Sequence, residues 1–390
     1  MNHRTLFLVI LLNTLSETTF AQAGEVVCWG LNDYGQCDAP IGRFIKVAGG
    51  FNHSMALDET GSLVCWGDNQ FGQCNSPQGT FTDIAAGSHH CLAIRADGTV
   101  AAWGSNEYGE STPLSGAFIK ISAKGANSVG IKQDGSISCW GFSQTGLCNV
   151  PAGEATDVSL GGFHGVAITP SQGIACWVLP PLNAYGQCPP PAGDFNQVSA
   201  GIFHTAARSA SGGVVCFGGN EYGQCEAPAG SFTTMSSGGM HTLAINESGQ
   251  IFGWGAGSIN AGEWPHYGQT IIPNGLYSEI SSGLYHSLAI RIDGACCISS
   301  TGSCITSTEE HCSNLDSLWL GIGSFCVDVE CSVPCNSDVN QDRFVNFADL
   351  IQVLSNWGPC QSPCEEDIDS NGAVDFVDVI QILSFWGECE

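Results

Sequence analysis

Cations are scarce in this chain: ten Lys plus Arg face 37 Asp plus Glu across 390 residues, a formal net charge of −27 at pH 7. Nucleic-acid binding needs a basic face against phosphate, and too few cations exist to build one. No basic amphipathic stretch points to a lipid surface. Long apolar runs are missing as well. Leu6 to Leu12 falls far short of the ~20 residues a spanning helix needs, so membrane insertion is not expected. Also lacking are a recognisable set of nucleophile, base and orienting acid and a pair of carboxylates suited to glycosidic hydrolysis. A catalytic role is therefore not expected.

Cysteine and glycine, by contrast, are abundant, at 21 and 51 residues. Residues 1–23 carry Arg4, the apolar run and Ala21-Gln22-Ala23 before Gly24, the layout of a cleaved secretory signal. Disulfides persist in oxidising compartments, so the cysteine count agrees with a secreted, extracellular or cell-surface protein.

One phrase recurs at a fixed step. The aromatic of Cys-Trp-Gly falls at Trp29, Trp66, Trp103, Trp140, Trp177, Phe217 and Trp254, with steps of 37, 37, 37, 37, 40 and 37 residues. A second phrase, Gly-x-x-His-x-x-Ala, surrounds His53, His90, His164, His204, His241 and His286, with Asn127 in the remaining copy. Such a period marks an array of one supersecondary unit. Short apolar runs punctuated by glycine, with Asp-Gly pairs at 97–98, 134–135 and 293–294 read as hairpin turns, predict four strands per unit and an all-β, seven-bladed propeller over 24–294. The array ends without a Trp-Gly strand of its own and begins with one, so the N-terminal strand is expected to complete the last blade and leave no open edge. Histidines repeating once per blade read as struts rather than as a site.

Cysteines nine apart occur as Cys28 and Cys37, Cys65 and Cys74, Cys139 and Cys148, and Cys216 and Cys225, with a stretched pair, Cys176 and Cys188. The third unit lacks both members, which predicts pairing within a blade, each bridge contributing about 2 to 3 kcal/mol. Cys91 is left over and is expected to be a buried thiol. Two loops are longer than their copies, one at Leu179, Pro180, Pro181 and Leu182, the other at 256–267 with Trp264 and His266. Equivalent loops share a propeller face, so Pro180, Pro181, Leu182, Trp264 and His266 are candidate partner-binding residues, with Trp264 as an anchor.

The phrases Gly87-Ser88-His89-His90-Cys91-Leu92-Ala93-Ile94, Asp97-Gly98 and Cys65-Trp66-Gly67-Asp68-Asn69-Gln70-Phe71-Gly72-Gln73 resemble the RCC1-type repeat. That resemblance covers the array and implies an RCC1-like propeller.

Residues 295–333 hold six cysteines with few apolar side chains between them, read as a disulfide-stapled module, with zinc as the alternative. In 334–390, Asp338, Asn340, Asp342, Asn346 and Asp349 stand at loop positions 1, 3, 5, 9 and 12, and Asp367, Asp369, Asn371, Asp375 and Asp378 repeat that spacing 29 residues later. With the carbonyls of Phe344 and Ala373 at position 7, these suit two Ca²⁺ ions. Each loop leads into an apolar stripe at helical spacing, Phe347, Leu350, Ile351, Leu354 and Trp357, then Phe376, Val379, Ile380, Leu383 and Trp386, read as the contact between two helices. A tandem of such loops, each followed by one helix, resembles the dockerin family and implies Ca²⁺-dependent docking to a cohesin-like partner. Loop positions 10 and 11, commonly small and hydroxylated in that family, are Phe347 and Ala348, then Phe376 and Val377 here. A pseudo-twofold between the halves would pair Cys335 with Cys389 and Cys360 with Cys364.

The composite expectation is a monomeric secreted protein. Its propeller binds an extracellular protein or glycan, and a Cys-rich segment leads to a small α-helical, calcium-binding dockerin-like domain that docks it to a surface or assembly. The rival is an enzyme or accessory of extracellular polysaccharide breakdown.

Overall fold

The computed structural model describes residues 23–298 except 145 and 179–181, together with 303–308, 318–322, 344–345, 347–355, 357–359, 368, 373–384 and 387–388. Seven three-stranded antiparallel sheets form the ring. Blade 1 is Phe44–Gly49, His53–Asp58 and Leu63–Gly67, from inner to outer strand, and blade 2 repeats it as Phe81–Ala86, His90–Arg95 and Val100–Gly104. The inner strands of blades 3 to 7 are Phe118–Lys124, Asp157–Leu160, Phe195–Ala200, Phe232–Ser237 and Tyr277–Ser282. Apolar cores lie between blades: Met55 and Leu57 of blade 1 pack with Phe81, Ile84 and Ala93 of blade 2.

Blade 7 takes its outer strand from the N-terminus. Glu25–Gly30 pairs antiparallel with His286–Arg291, from Glu25 opposite Arg291 to Gly30 opposite His286, and closes the ring as the sequence implies.

Two expectations are corrected. A fourth strand per unit is not formed, because the stretch after each outer strand closes on itself. In blade 1, Asn69 Oδ1 accepts from Cys74 N at 2.8 Å, Gly72 and Gly79 have φ of 78° and 146°, and Pro77 has no N–H to offer a ladder. Asp293-Gly294 is not a hairpin turn either; it opens the strand Asp293–Ile298, where the Asp293 carboxylate accepts from Leu276 N at 2.7 Å and faces Arg291.

Asp293–Ile298 leads out of the ring into a separate sheet with Ser303–Thr308 and Leu318–Ile322. In the tail, helices α1 (Phe347–Ser355) and α2 (Phe376–Ser384) pack together. Phe344–Val345 pairs with Gly387–Glu388, and Gly358–Pro359 with Ala373–Val374. Each half thus pairs its loop with the end of the other. Of the apolar stripe Val379 is buried, with Val353 of the other helix, whereas Ile351, Leu354, Trp357, Phe376, Ile380 and Leu383 are exposed.

Candidate functional site

Neighbouring blades are joined by a relay. His286 Nε2 lies 3.0 Å from Ser54 Oγ, which donates to the Gln36 carbonyl at 2.8 Å; Trp66 Nε1 donates to the same oxygen at 2.9 Å. The hydroxyl has one proton and gives it to the carbonyl, so the imidazole donates from Nε2. The pattern repeats from His90 to Ser128, His164 to Thr205, His204 to Thr242 and His241 to Ser287, and from His53 to Cys91, whose buried free thiol stands where other blades have a hydroxyl. The partner of each strut is thus a side chain of the next blade. Burial depresses the imidazoles to about 3 for His53, His204 and His286, to about 4 for His90 and His164, and well below the usual value for His241.

One seam departs from the rule. Between blades 3 and 4 the histidine is Asn127 and the hydroxyl position is Gly165. A Cβ on Gly50, Gly87, Gly161, Gly201, Gly238 or Gly283 would meet the imidazole of its own blade at 2.1–2.5 Å. Only blade 3, with Asn127 in place of that ring, carries a side chain there, Lys124.

A second belt surrounds the axis. Inner strands of blades 1, 2, 3, 5, 6 and 7 shift register after their first aromatic, a bulge that re-aims the next residues. The belt reads Lys46, Asp83, Lys120, Asp157, Gln197, Thr234 and Glu279. Lys46 pairs with Asp83 and Lys120 with Asp157; Asp157 also accepts from Val198 N at 2.8 Å, and Gln197 donates to Thr234 at 3.2 Å. Glu279 is raised to about 7 by burial, against the pull of Lys46. Sequence reading missed this belt, although its members recur at the repeat period.

The loops after the outer strands and those before the middle strands share one face, and aromatic rings connect them. Trp264, 53% exposed, meets Tyr222 edge-on at 5.8 Å and donates from Nε1 to the Tyr285 hydroxyl at 3.2 Å. Tyr285 contacts Tyr267 at 5.6 Å and Phe51 at 6.2 Å; Phe51 meets His89 at 5.7 Å, and His89 meets Phe71 at 4.8 Å. His266 joins through Tyr222 at 6.1 Å, its Nδ1 accepting from Gly257 N at 3.1 Å. Of the other inserted loop, Pro180 and Pro181 lie outside the described residues. The Leu182 carbonyl accepts from Gln187 at 2.8 Å, and nearby Tyr185 packs on Phe203, which stacks on Phe163. The two insertions therefore belong to two aromatic arcs. The arc residues missed in the sequence, Phe71, Tyr185, Tyr222 and Tyr267, share a legible mark: each precedes Gly-Gln.

Inside these arcs a cavity of about 230 Å³ opens on the axis, lined by Phe51, Phe163, Ile202, Leu284, Ser88 and Lys124 among glycines. Burial lowers the Lys124 ammonium to about 8.

Five bridges lie within blades: Cys28–Cys37, Cys65–Cys74, Cys139–Cys148, Cys176–Cys188 and Cys216–Cys225. Cys335, Cys360, Cys364 and Cys389 lie outside the described residues, as do Asp338, Asn340, Asp342, Asn346, Asp367, Asp369 and Asn371. Phe344 and Ala373 stand in the short strands, and Asp349 in α1. Asp378 is fully buried; its carboxylate accepts from Ile368 N at 2.7 Å and Asp375 N at 2.8 Å, and Asp375 caps α2 through Val377 N at 2.8 Å.

The family model described as "Regulator of chromosome condensation (RCC1) repeat" matches residues 44–73, 81–110 and 195–224. Among solved structures, Prp20p of Saccharomyces cerevisiae is similar with a TM-score of 0.60 at 16% identity, over 75% of this chain and 94% of that one. Human WBSCR16 has a TM-score of 0.58 at 14% identity, over 69% of this chain and 99% of that one. The CRINKLY WD40 ectodomain of the receptor kinase ACR4 from Arabidopsis thaliana has a TM-score of 0.51 at 16% identity, over 68% and 95%. No curated protein sequence matches. At these identities the likeness establishes a fold, and with the matched repeats that fold is an RCC1-like β-propeller.

Proposed function

We propose that this chain is a secreted, non-enzymatic binding protein that holds a protein partner on the aromatic face of its propeller and docks through a Ca²⁺-loaded, dockerin-like tail. The observation that carries the reading is the exposed arc around Trp264: aromatics buried on binding dominate interface energetics, and here Trp264 and Phe71 stand exposed among ring contacts. The structural neighbours support a protein partner, since Prp20p is described by its binding to Gsp1p and histones. The five bridges suit an oxidising compartment. In the tail, the exposed Ile351, Leu354, Trp357, Phe376, Ile380 and Leu383 supply an apolar docking surface.

Trp264→Ala combined with Phe71→Ala should abolish capture of the partner from surface extracts while the melting temperature stays within a few degrees of wild type. Retained capture, or binding on a glycan array by the isolated ring, would redirect the assignment. For the tail, Asp338→Ala with Asp367→Ala should eliminate the calorimetric Ca²⁺ signal and unfold residues 334–390 while sparing the ring. A tail equally folded in chelator would refute the metal reading.

A further inference from the structure

Lys124 reaches the axis where every other blade has a glycine, and its ammonium makes no hydrogen bond or ion pair among the described residues. Leaving a half-buried charge unpaired is costly, and the chain has 37 acidic residues with which to pair it. None lines the cavity. The titratable groups whose protonation feels Lys124, His204, His241 and His286, are held neutral by burial, so they neither repel the ammonium nor could offset its charge. At neutral pH the ammonium stays protonated.

Toward the aromatic face the wall beside this cation is apolar, with Phe51, Phe163, Ile202 and Leu284, whereas serines of the inner strands line the axis on its other side. A phosphate dianion seeks several charged donors at once, and the cavity on the aromatic side offers one ammonium and the Ser88 side chain. A monoanion carried on an apolar body satisfies both parts of the cavity. At about 230 Å³ the space exceeds the ~150 Å³ engineered cavity that accepts benzene.

We propose that the axial pocket binds an apolar carboxylate, its anionic head paired with Lys124 and its hydrocarbon body against Phe163 and Ile202. The ligand chemistry is common to free organic acids and to the C-terminal residue of a peptide. The pocket shares Phe51 and Phe163 with the aromatic arcs but not Trp264, so the two readings are separated at that residue.

Calorimetry on the full chain at pH 7 with benzoate, benzamide and N-acetylphenylalanine tests it. Benzoate should bind at least about tenfold more tightly than benzamide, the difference expected of a charged hydrogen bond. Lys124→Met should remove that preference. Ile202→Glu, which keeps the lysine but places a competing carboxylate in the wall, should remove it too. Trp264→Ala combined with Phe71→Ala should leave benzoate binding unchanged even as partner capture is lost. Tighter binding of N-acetylphenylalanine than of benzoate assigns the site to peptide termini, and the reverse order to free acids. Equal binding of benzoate and benzamide, no binding of either acid, or full retention in both variants overturns the proposal.

Discussion

Lowering the pH from 7 to 5 should unfold the propeller. Six imidazoles, His53, His90, His164, His204, His241 and His286, are buried and depressed below the ordinary histidine value, five of them to about 3 or 4. In the unfolded chain each takes up its proton near pH 6.5, whereas in the ring it does not, so the stability they share is present above 6.5 and lost as the pH falls toward 4. Each group contributes a slope of about 1.4 kcal/mol per pH unit, and six together about 8, against a whole-domain stability of about 5–15 kcal/mol. Glu279 acts in the opposite sense: its carboxyl, raised to about 7, loses stability as the pH rises toward that value, but it is one group against six. Circular dichroism melts from pH 7.5 to 4.5 should show a steep fall beginning near 6, with His90→Gln shallower by about one sixth of the slope. A flat profile to pH 4.5 would show that the imidazoles are not held neutral.

Removal of Glu25–Gly30 should be as severe. Those residues supply the outer strand of blade 7, place Trp29 against Leu243, Tyr277 and Ile280, and donate from Trp29 Nε1 to the Gln269 carbonyl at 2.9 Å. Gly24 just before them bridges to Phe44 of blade 1. Trp29→Ala alone should cost about 3–5 kcal/mol, and loss of the strand should leave no cooperative transition at 25 °C, because each blade is stable only through its neighbours. If the shortened ring melts like the full one, closure contributes nothing.

What could be read in the sequence was whatever each blade repeats within itself. The tryptophans and histidines recur at one step, so the array, its number of blades and its closing strand were legible. Relations from one blade to the next were not. His53 reaches Cys91 and His90 reaches Ser128, 38 residues on, and only the joint change at Asn127, Gly165 and Lys124 hints at that coupling. The charge belt alternates in sign, so a search for identity passes over it. Local signals misled where tertiary context prevailed: Asp293-Gly294 has the letters of a turn, but the Asp293 carboxylate is committed to Leu276 N. In the tail, the helical stripe at Ile351, Leu354 and Trp357 reads as core from its period alone, because a period does not say whether a partner covers it.

The belt of Lys46, Asp83, Lys120, Asp157, Gln197, Thr234 and Glu279 has a consequence of parity. A circle with an odd membership cannot be divided into couples, so after Lys46 joins Asp83 and Lys120 joins Asp157, three places remain. Gln197 and Thr234 settle theirs without charge. Glu279 is then the odd one out, an acid whose nearest counterion already belongs to another, and it resolves the frustration by keeping its proton near neutrality. Seven-fold closure thus leaves one site whose ionisation is undecided, and six or eight blades of the same alternation would have left none.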